Sequence, residues 1–314
     1  MSLPMVPPTV SLRQLQYIVA VADLGGFGRA AEQCHVAQPS LSAQVALAED
    51  QLGVQIFERS RRGVRLSSVG AAVVERARCV LGAQRELEEV VNHLRDPFRG
   101  TFRLGIIPTV GPYLLPDVAP VLTRAHPDLT LVWREDRTAS LVQQINSGTL
   151  DGGIVALESD IDNLEHAPLA WDPFVLAVAP GQPLAASDKP VKLSALAGTK
   201  VLLLDDGHCF RDQAWSLCAA LGATEMSFSA TSLATLVQMV GTGSSVTLLP
   251  SLALPVENRR QRLCVRPFAP AGPGRTIVLA WRRSSALREA LKDVAGIIRS
   301  AISKAPRLRR PSLR

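Results

Sequence analysis

The stretch VGAAVVERARCVLGAQRELEEVVNHLRD, residues 69–96, keeps helical periodicity from end to end and stops against Pro97. Proline cannot continue a helix, and the residue before it is pushed out of helical geometry. A helix of this length with an apolar stripe exceeds what the surface of one domain needs. It reads as a connector over residues 69–97, between a short N-terminal domain at 11–68 and a larger one at 100–303. At 314 residues the chain is also longer than one hydrophobic core usually serves.

Upstream of the connector, LRQLQYIVAVADL (12–24) is apolar at Leu12, Leu15, Ile18, Val19 and Ala22, the spacing of a helix with one buried face. GGF breaks it, GRAAEQC (28–34) predicts a second short helix, and HVAQ (35–38) a turn. PSLSAQVALAEDQLG (39–53) predicts a third helix, with Pro39 at its first position and Gly53 at its stop. VQIFERSRRGVRLSS (54–68) predicts two short strands around a basic turn. Together these make a winged helix-turn-helix pattern. The third helix opens with small polar side chains where a recognition helix meets base edges. Gln38 and Gln44 can read an adenine edge, Ser40 and Ser42 can bond bases or phosphates, and Pro39 lies among them. Arg59, Arg61, Arg62 and Arg65 concentrate charge where a wing meets the DNA backbone or minor groove. A plain three-helix bundle with a charged loop accounts for the same residues equally well.

From residue 101 the pattern changes. Strand-like FRLGII, LTLVWRE, LDGGIVAL, FVLAVAP, KVLLLDD, SVTLLP and TIVLAW alternate with helix-like LLPDVAPVLTRAHP, SLVQQINSG, FRDQAWSLCAAL and SLATLVQMVGTG. That alternation predicts an α/β fold with mostly parallel sheets. The apolar runs are too short to span a bilayer, and the start MSLPMVPPTVSL lacks the features of a signal peptide. The expected location is the cytoplasm, with no membrane partner. The net charge of +6 proves nothing about DNA by itself, because residues 1–96 carry ten Arg against ten acids and residues 97–298 eighteen basic residues against eighteen acids. The surplus lies in the tail: Arg299, Lys304, Arg307, Arg309, Arg310 and Arg314. The five cysteines are expected as free thiols in a reducing cytosol unless one has redox or metal work. Scattered histidines, with no CxxC or HExxH, give no metal site, and no cofactor is called for. GTGSSV (241–246) follows a helix and precedes a strand, the reverse of a dinucleotide-binding loop.

The first part of the chain resembles the winged helix of LysR-type transcriptional regulators. The match covers FxxAA (Phe27, Ala30, Ala31), QPSLS (38–42), QLGVxxFER (51–59) and the VG at 69–70. Residues 69–96 are similar to that family's linker helix, which pairs two subunits. Many members carry Arg at the position of Ala43 and basic residues near Ala46 and Leu47. This chain has none there, so affinity leans on the wing arginines. The resemblance implies that residues 100–303 form a two-lobed α/β regulatory domain like periplasmic binding proteins, followed by a basic tail at 304–314. Lobe I would take about 100–170 and 276–303, and lobe II about 171–275. Two stretches are similar to the peroxide-sensing OxyR branch: IPTVGPYLLP (107–116), and GHCFRDQAWSLC (207–218) with ATSLATLVQMVGTGSSVTLLP (230–250). That likeness implies a regulator of oxidative-stress genes, activator and repressor, and not an enzyme. Its partners would be double-stranded operator DNA, further copies of itself from dimer to tetramer, hydrogen peroxide as effector, and RNA polymerase.

The likeness also assigns roles: Cys209 attacks peroxide, Cys218 resolves it to a disulfide, and Thr109 and Thr138 hydrogen-bond the oxidant. Arg275 is a basic group near the thiol, and His208 assists proton transfer or merely packs. The residues themselves support part of this. Asp205, Asp206 and Gly207 end a strand and lead into FRDQAWSLC, which puts Cys209 at a helix N-terminus. There the helix dipole, with His208 and Arg211 adjacent, favours a thiolate, the species that attacks an O–O bond. Nine helical residues place Cys218 about 13 Å along and on the opposite face, whereas a disulfide needs Cα atoms within about 7 Å. A helical segment must therefore refold to form that bond. On the residues alone, Cys218 reads first as a small buried apolar side chain, and Cys209 leaves the two readings balanced. Thr138 reads equally as a helix cap, and Arg275 as a solvated strand edge. Cys34, Cys79 and Cys264 read as structural. Two other functions stay open: a regulator that takes a small metabolite between its lobes, and a peroxidatic enzyme, which would leave the winged helix unexplained.

Overall fold

The computed structural model describes residues 10–60, 63–93, 98–161, 163–187, 189–270 and 272–304. The backbone gathers into two compact units, one running to Val91 and including Asn146–Thr149, the other starting at Asn92 and leaving that segment out.

The first unit holds α1 (Leu12–Leu24), α2 (Phe27–Gln33), α3 (Gln38–Leu52), a hairpin of β1 (Phe57–Ser60) and β2 (Gly63–Leu66), and α4 (Ser68–His93). A capping box starts α1: the Ser11 hydroxyl accepts from the Gln14 amide N–H, and the Gln14 side chain accepts from Ser11 N–H. Gly25 and Gly53, both left-handed, stop α1 and α3. Because α3 begins at Gln38, Pro39 is its second residue and not its first. The FxxAA triplet is structural, since Phe27, Ala30 and Ala31 are buried together with Ile18, Val21, Leu41 and Val45. Phe27 meets Phe57 edge-on at 5.8 Å between ring centroids. The Glu49 carboxylate accepts from the amides of Ile56 (2.7 Å) and Phe57 (3.0 Å), which fastens the hairpin to α3. Arg61, Arg62, residues 94–97 and the basic tail from 305 lie outside the described residues.

The second unit is a nine-stranded sheet with helices on its faces. In chain order its elements are β3 (Gly100–Ile106), α5 (Gly111–Ala125), β4 (Leu129–Glu135), α6 (Thr138–Asn146), β5 (Gly152–Ala156), β6 (Leu164–Val178), β7 (Lys200–Leu204) and α7 (Cys209–Ala219). There follow β8 (Thr224–Ala230), α8 (Leu233–Val240), β9 (Val246–Pro250), α9 (Leu254–Glu257), β10 (Cys264–Pro267), β11 (Gly274–Arg282) and α10 (Arg288–Lys304). The strands run β4-β3-β5-β11-β6-β9-β7-β8, with β10 also on β6.

Parallel pairs occupy only the flanks, β3 with β4 and β5, and β7 with β8 and β9. The centre is antiparallel, β11 with β5 and β6, and β6 with β9 and β10, which corrects the expectation of mostly parallel sheets. The cause is connectivity: β6 carries the chain out of one core and β11 brings it back, so the two strands must oppose each other. The N-terminal half of β6 pairs with β11 over one core, that of Phe102, Leu104, Ile154, Leu279 and Trp281. Its C-terminal half pairs with β9 over the other, that of Leu176, Leu203, Phe210 and Leu249. No helix among the described residues is long and apolar enough to cross a membrane.

Candidate functional site

The strand β7 ends at Leu204, and the chain turns through Asp205, Asp206, Gly207 and His208 into α7. Gly207 takes φ +86° in this turn, and a Cβ there would come within 2.7 Å of the Arg137 guanidinium. Cys209 is the first residue of α7, as expected, and its side chain packs against the first core. Cys218, on the same helix, is fully buried in the second core. The two thiols of one helix thus lie against different cores, about 13 Å apart along the axis. Both are free cysteines. Burial pushes the Cys218 thiol from its ordinary 9.0 up to about 11.

Four of the expected residues meet at the start of α7. Thr109, Thr138, His208 and Cys209, with Ile107, Pro108, Arg137 and Gly207, wall a small cavity. It leaves about 10 Å³ for the centre of a water-sized sphere, close to what a single water requires. Thr138 begins α6 and is 8% exposed, yet its hydroxyl has no hydrogen-bond partner among the described residues. It is therefore not the helix cap. Asp136 holds the start of α6, accepting from Arg137 N–H (2.8 Å), Ser140 Oγ (2.7 Å) and Gln144 Nε2 (3.2 Å). Burial, then the Arg137 cation, hold the His208 imidazole below its ordinary value, so it is neutral at pH 7.

Arg275 does not line the cavity but reaches it through Thr109. It is wholly buried, which overturns the reading of it as a solvated edge residue. Its Nη1 donates to Thr109 Oγ1 (2.7 Å), and its Nη2 to the Thr109 carbonyl (3.0 Å). Since Thr109 Oγ1 accepts from a cation, its own proton is free to point into the cavity. Asp172 of β6 neutralises Arg275, at 3.1 Å from both Nε and Nη2. The other Asp172 oxygen accepts from Ser251 Oγ (3.1 Å) and Leu252 N–H (3.0 Å). The Arg275 guanidinium also lies over the Phe210 ring, 5.5 Å from its centroid.

Arg211, counted above among the cations favouring the thiolate, has its charge taken up elsewhere. It pairs with Glu225 of β8 at 2.6 Å and with Asp206 at 2.7 Å. The cation at the cavity wall is Arg137, which pairs with Asp205 at 3.8 Å. Sequence reasoning missed Arg137 and Asp172. Asp172 left a signal, a single acid inside the apolar run LAWDPFVLAV. Arg137 is a polar residue within a polar stretch, with nothing to set it apart.

In the first unit, Gln38, Pro39, Ser40 and Gln44 are exposed along the start of α3, and Ser42 is half-buried. Arg65 is exposed on β2, where it stands opposite Glu58. Arg59 stands opposite Val64 in the same ladder, and its side chain lies outside the described residues. Apolar Val69, Val80 and Leu87 of α4 are exposed, Leu87 at 68%.

Comparison with known proteins agrees with both units. Residues 12–71 match the model of the bacterial regulatory helix-turn-helix protein, lysR family, and residues 95–303 that of the LysR substrate binding domain. The chain is 43% identical over 291 residues to the hydrogen peroxide-inducible genes activator of Dickeya chrysanthemi, covering 92% of this chain and 95% of that one. The fold is similar to a full-length cysteine-to-aspartate variant of OxyR from Pseudomonas aeruginosa, with TM-score 0.75 and 36% identity over 93% of this chain and 96% of that one. It is also similar to a peroxide-bound cysteine-to-serine variant of OxyR from Corynebacterium glutamicum, with TM-score 0.65 and 32% identity over 95% of this chain and 94% of that one. The chain therefore belongs to the LysR family of bacterial transcriptional regulators, within its OxyR branch of hydrogen peroxide-inducible activators.

Proposed function

We propose that the chain is a DNA-binding regulator that senses hydrogen peroxide through a reversible Cys209–Cys218 disulfide. One observation carries this reading: a cavity of water size walled by Cys209, at a helix start, together with Thr109 and Thr138. The Cys209 thiolate attacks one peroxide oxygen, forming an S–O bond as the O–O bond breaks. The leaving hydroxide takes a proton and departs as water. Thr109, its proton aimed inward by Arg275, stabilises the charge on that oxygen, and the Arg137 cation adds to this. The sulfenic acid then condenses with Cys218, releasing a second water, so two thiols and one peroxide give a disulfide and two waters.

The bond cannot close within an intact α7, so residues 206–220 must refold. DNA contact falls to the exposed start of α3, Gln38, Pro39, Ser40 and Gln44, with Ser42 behind them, and to the wing arginines Arg59, Arg61 and Arg62. The exposed apolar side chains of α4, with Val80 and Leu87 one heptad apart, favour pairing with a second copy. From there assembly continues to a tetramer at the promoter, where RNA polymerase is the further partner. The test treats the reduced protein with near-stoichiometric peroxide, maps disulfides by mass spectrometry, and footprints operator DNA before and after. A Cys209–Cys218 link and an altered footprint are expected, with both lost in Cys209→Ser. An unchanged peroxide response in that variant would overturn the reading.

A further inference from the structure

Charge in residues 97–298 is balanced overall, eighteen basic residues against eighteen acids, but it is unevenly spread. From Met226 to Arg275 there are five arginines, Arg259, Arg260, Arg262, Arg266 and Arg275, and a single acid, Glu257. Arg275 is buried and neutralised by Asp172. The other four stand in the turn between α9 and β10 and on β10 itself. Arg259, Arg260 and Arg262 are exposed, and Arg266 is half-buried. No acid among the described residues pairs with any of the four. Arg262 Nη1 donates to Gln238 Oε1 of α8 (2.8 Å), and Arg266 donates to the neutral carbonyls of Lys189 (2.9 Å) and Leu184 (3.1 Å). Glu257 is engaged elsewhere, accepting from the Tyr113 hydroxyl at 2.7 Å.

The turn that presents these arginines is held in one shape. Asn258 Nδ2 donates to the Leu263 carbonyl (2.9 Å), and Asn258 Oδ1 accepts from Leu263 N–H (3.1 Å), so one side chain closes both ends of the turn. Gln261 N–H donates to the Asn258 carbonyl (2.8 Å), and Gln261 takes φ +51°. Leu263 is buried in the second core, and Tyr113 of α5 anchors α9 through Glu257. A backbone fixed beforehand loses little entropy when a partner binds. Guanidinium forks without acids suit phosphate, which each can take with two parallel hydrogen bonds. The exposed Gln238 amide, its oxygen already bonded to Arg262, keeps its NH2 group for a further oxygen. A protein partner fits less well, because stable protein interfaces centre on large apolar anchors, and Val256 is the one large apolar side chain that α9 exposes. DNA also lacks cations from the recognition helix: α3, QPSLSAQVALAEDQL, has no Arg or Lys and carries Glu49 and Asp50.

We infer that the turn between α9 and β10 is a second DNA-binding surface, on which Arg259, Arg260 and Arg262 contact phosphates of DNA that the winged helix has bound. The inference rests on DNA binding by the winged helix and adds a contact from the regulatory unit to it. Phosphate contacts of this kind position the protein and read no sequence. They raise affinity by releasing counterions, close to one for each phosphate neutralised, and so make binding more sensitive to salt.

The test uses the full-length protein and a duplex that it selects from random-sequence DNA. Affinity is measured by fluorescence anisotropy from about 50 to 300 mM NaCl, the range in which phosphate contacts show their salt dependence. The proteins are the parent, a triple variant with Arg259→Gln, Arg260→Gln and Arg262→Gln, and the corresponding triple Lys variant. Loss of three phosphate contacts should make the slope of log affinity against log salt shallower by about 2 to 3 for each protomer bound. At about 100 mM NaCl the Gln variant should bind roughly ten-fold more weakly or worse, and the Lys variant within about three-fold of the parent. Tryptophan-monitored unfolding should be the same in all three, and if the Gln variant unfolds early, Arg260→Gln alone should still lower the slope by about 1. Parental slope and affinity in the Gln variant would overturn the inference. So would a Lys variant as weak as the Gln variant, since charge would then not be what the turn supplies. A Gln variant that binds DNA like the parent but no longer activates transcription by purified RNA polymerase would also overturn it, in favour of an acidic protein surface. If the parent selects no DNA at all, the winged-helix reading fails instead, which is a separate result.

Discussion

Asp172→Asn is the substitution whose cost the structure fixes best. Asp172 is 4% exposed and Arg275 wholly buried, so the carboxylate is the counter-charge of a cation that water does not reach. The pair is close, 3.1 Å from Asp172 Oδ2 to both Nε and Nη2. What remains around the guanidinium is neutral: the hydroxyl and carbonyl of Thr109 and the face of Phe210. Removing one partner of a buried pair leaves an uncompensated charge, which costs about 3–5 kcal/mol. The asparagine oxygen can still accept from Leu252 N–H, so the 3₁₀ turn after β9 loses little. All four tryptophans, Trp133, Trp171, Trp215 and Trp281, lie in the second unit, so intrinsic fluorescence in urea follows that unit alone. With a slope of roughly 2 kcal/mol per molar urea, the midpoint should fall by about 2 M. Arg275→Met should be costly as well, because it leaves Asp172 buried and unpaired. The double variant should recover at least half of the summed loss, since the two residues act as one unit. A midpoint shift below about 0.5 M for Asp172→Asn, or strict additivity in the double variant, would refute the assignment of Arg275 as a buried, carboxylate-held cation.

Three further outcomes follow from single features. With its thiol pushed up to about 11 by burial, Cys218 should resist iodoacetamide at pH 8 in the native reduced protein while Cys209 is alkylated, as peptide mass mapping would read. The folded pKa of His208 lies below its ordinary 6.5, so the unfolded chain binds the proton more tightly. The stability it contributes is therefore full above pH 6.5 and lost as pH falls through the folded value, and His208→Asn should flatten the melting-temperature profile of the second unit between pH 7.5 and 5. A Cβ at Gly70 would stand 2.1 Å from the carbonyl oxygen of Ile56, a backbone atom that cannot swing away. Gly70→Ala should thus destabilise the first unit and weaken operator binding in a gel-shift assay, while peroxide still closes the disulfide in the second.

The elements that the sequence made legible are those with one strong local pattern. Leu12 to Leu24 shows its buried face by spacing, and Gly53 stops α3 where the motif places it. β6 was legible only from Phe174 onward, because Pro168 and Pro173 argue against a central strand. The fold accommodates them: the β11 register shifts between Ile277 and Val278, passing from Ala170 to Pro168, and Pro173 falls at the end of the ladder opposite Gly274. β8 hides for a different reason. It is an edge strand whose TEMSFSA run is mostly open to solvent, so neither alternation nor an apolar run marks it. α10 was not identified, although Ala290, Leu291, Val294, Ala295 and Ile298 stand at helical spacing, because its charged surround merges into the basic tail. At the site, Cys209, Thr109, Thr138 and His208 were identified by motif. Arg137 and Asp172 act through contacts across 70 and 103 positions of chain, to Gly207 and Arg275, which no local pattern reports.

Those long-range contacts explain how sulfur chemistry at one helix turn could reach both cores. A Cys209–Cys218 bond requires the Cα atoms to close from about 13 Å to within about 7 Å, so the first turns of α7 must give up their helical form. Phe210 follows the reacting thiol directly, and it is 1% exposed, edge-on to Phe174 at 5.1 Å. Moving Cys209 toward Cys218 drags this ring, and with it the surface on which Arg275 rests. Arg275 in turn holds Thr109 on the loop after β3 and Asp172 on β6, and Asp172 holds the turn after β9. A displacement at Phe210 is therefore felt at three elements through one guanidinium. Had Arg275 been the solvated edge residue that its sequence context allowed, the same disulfide would have remained a local event.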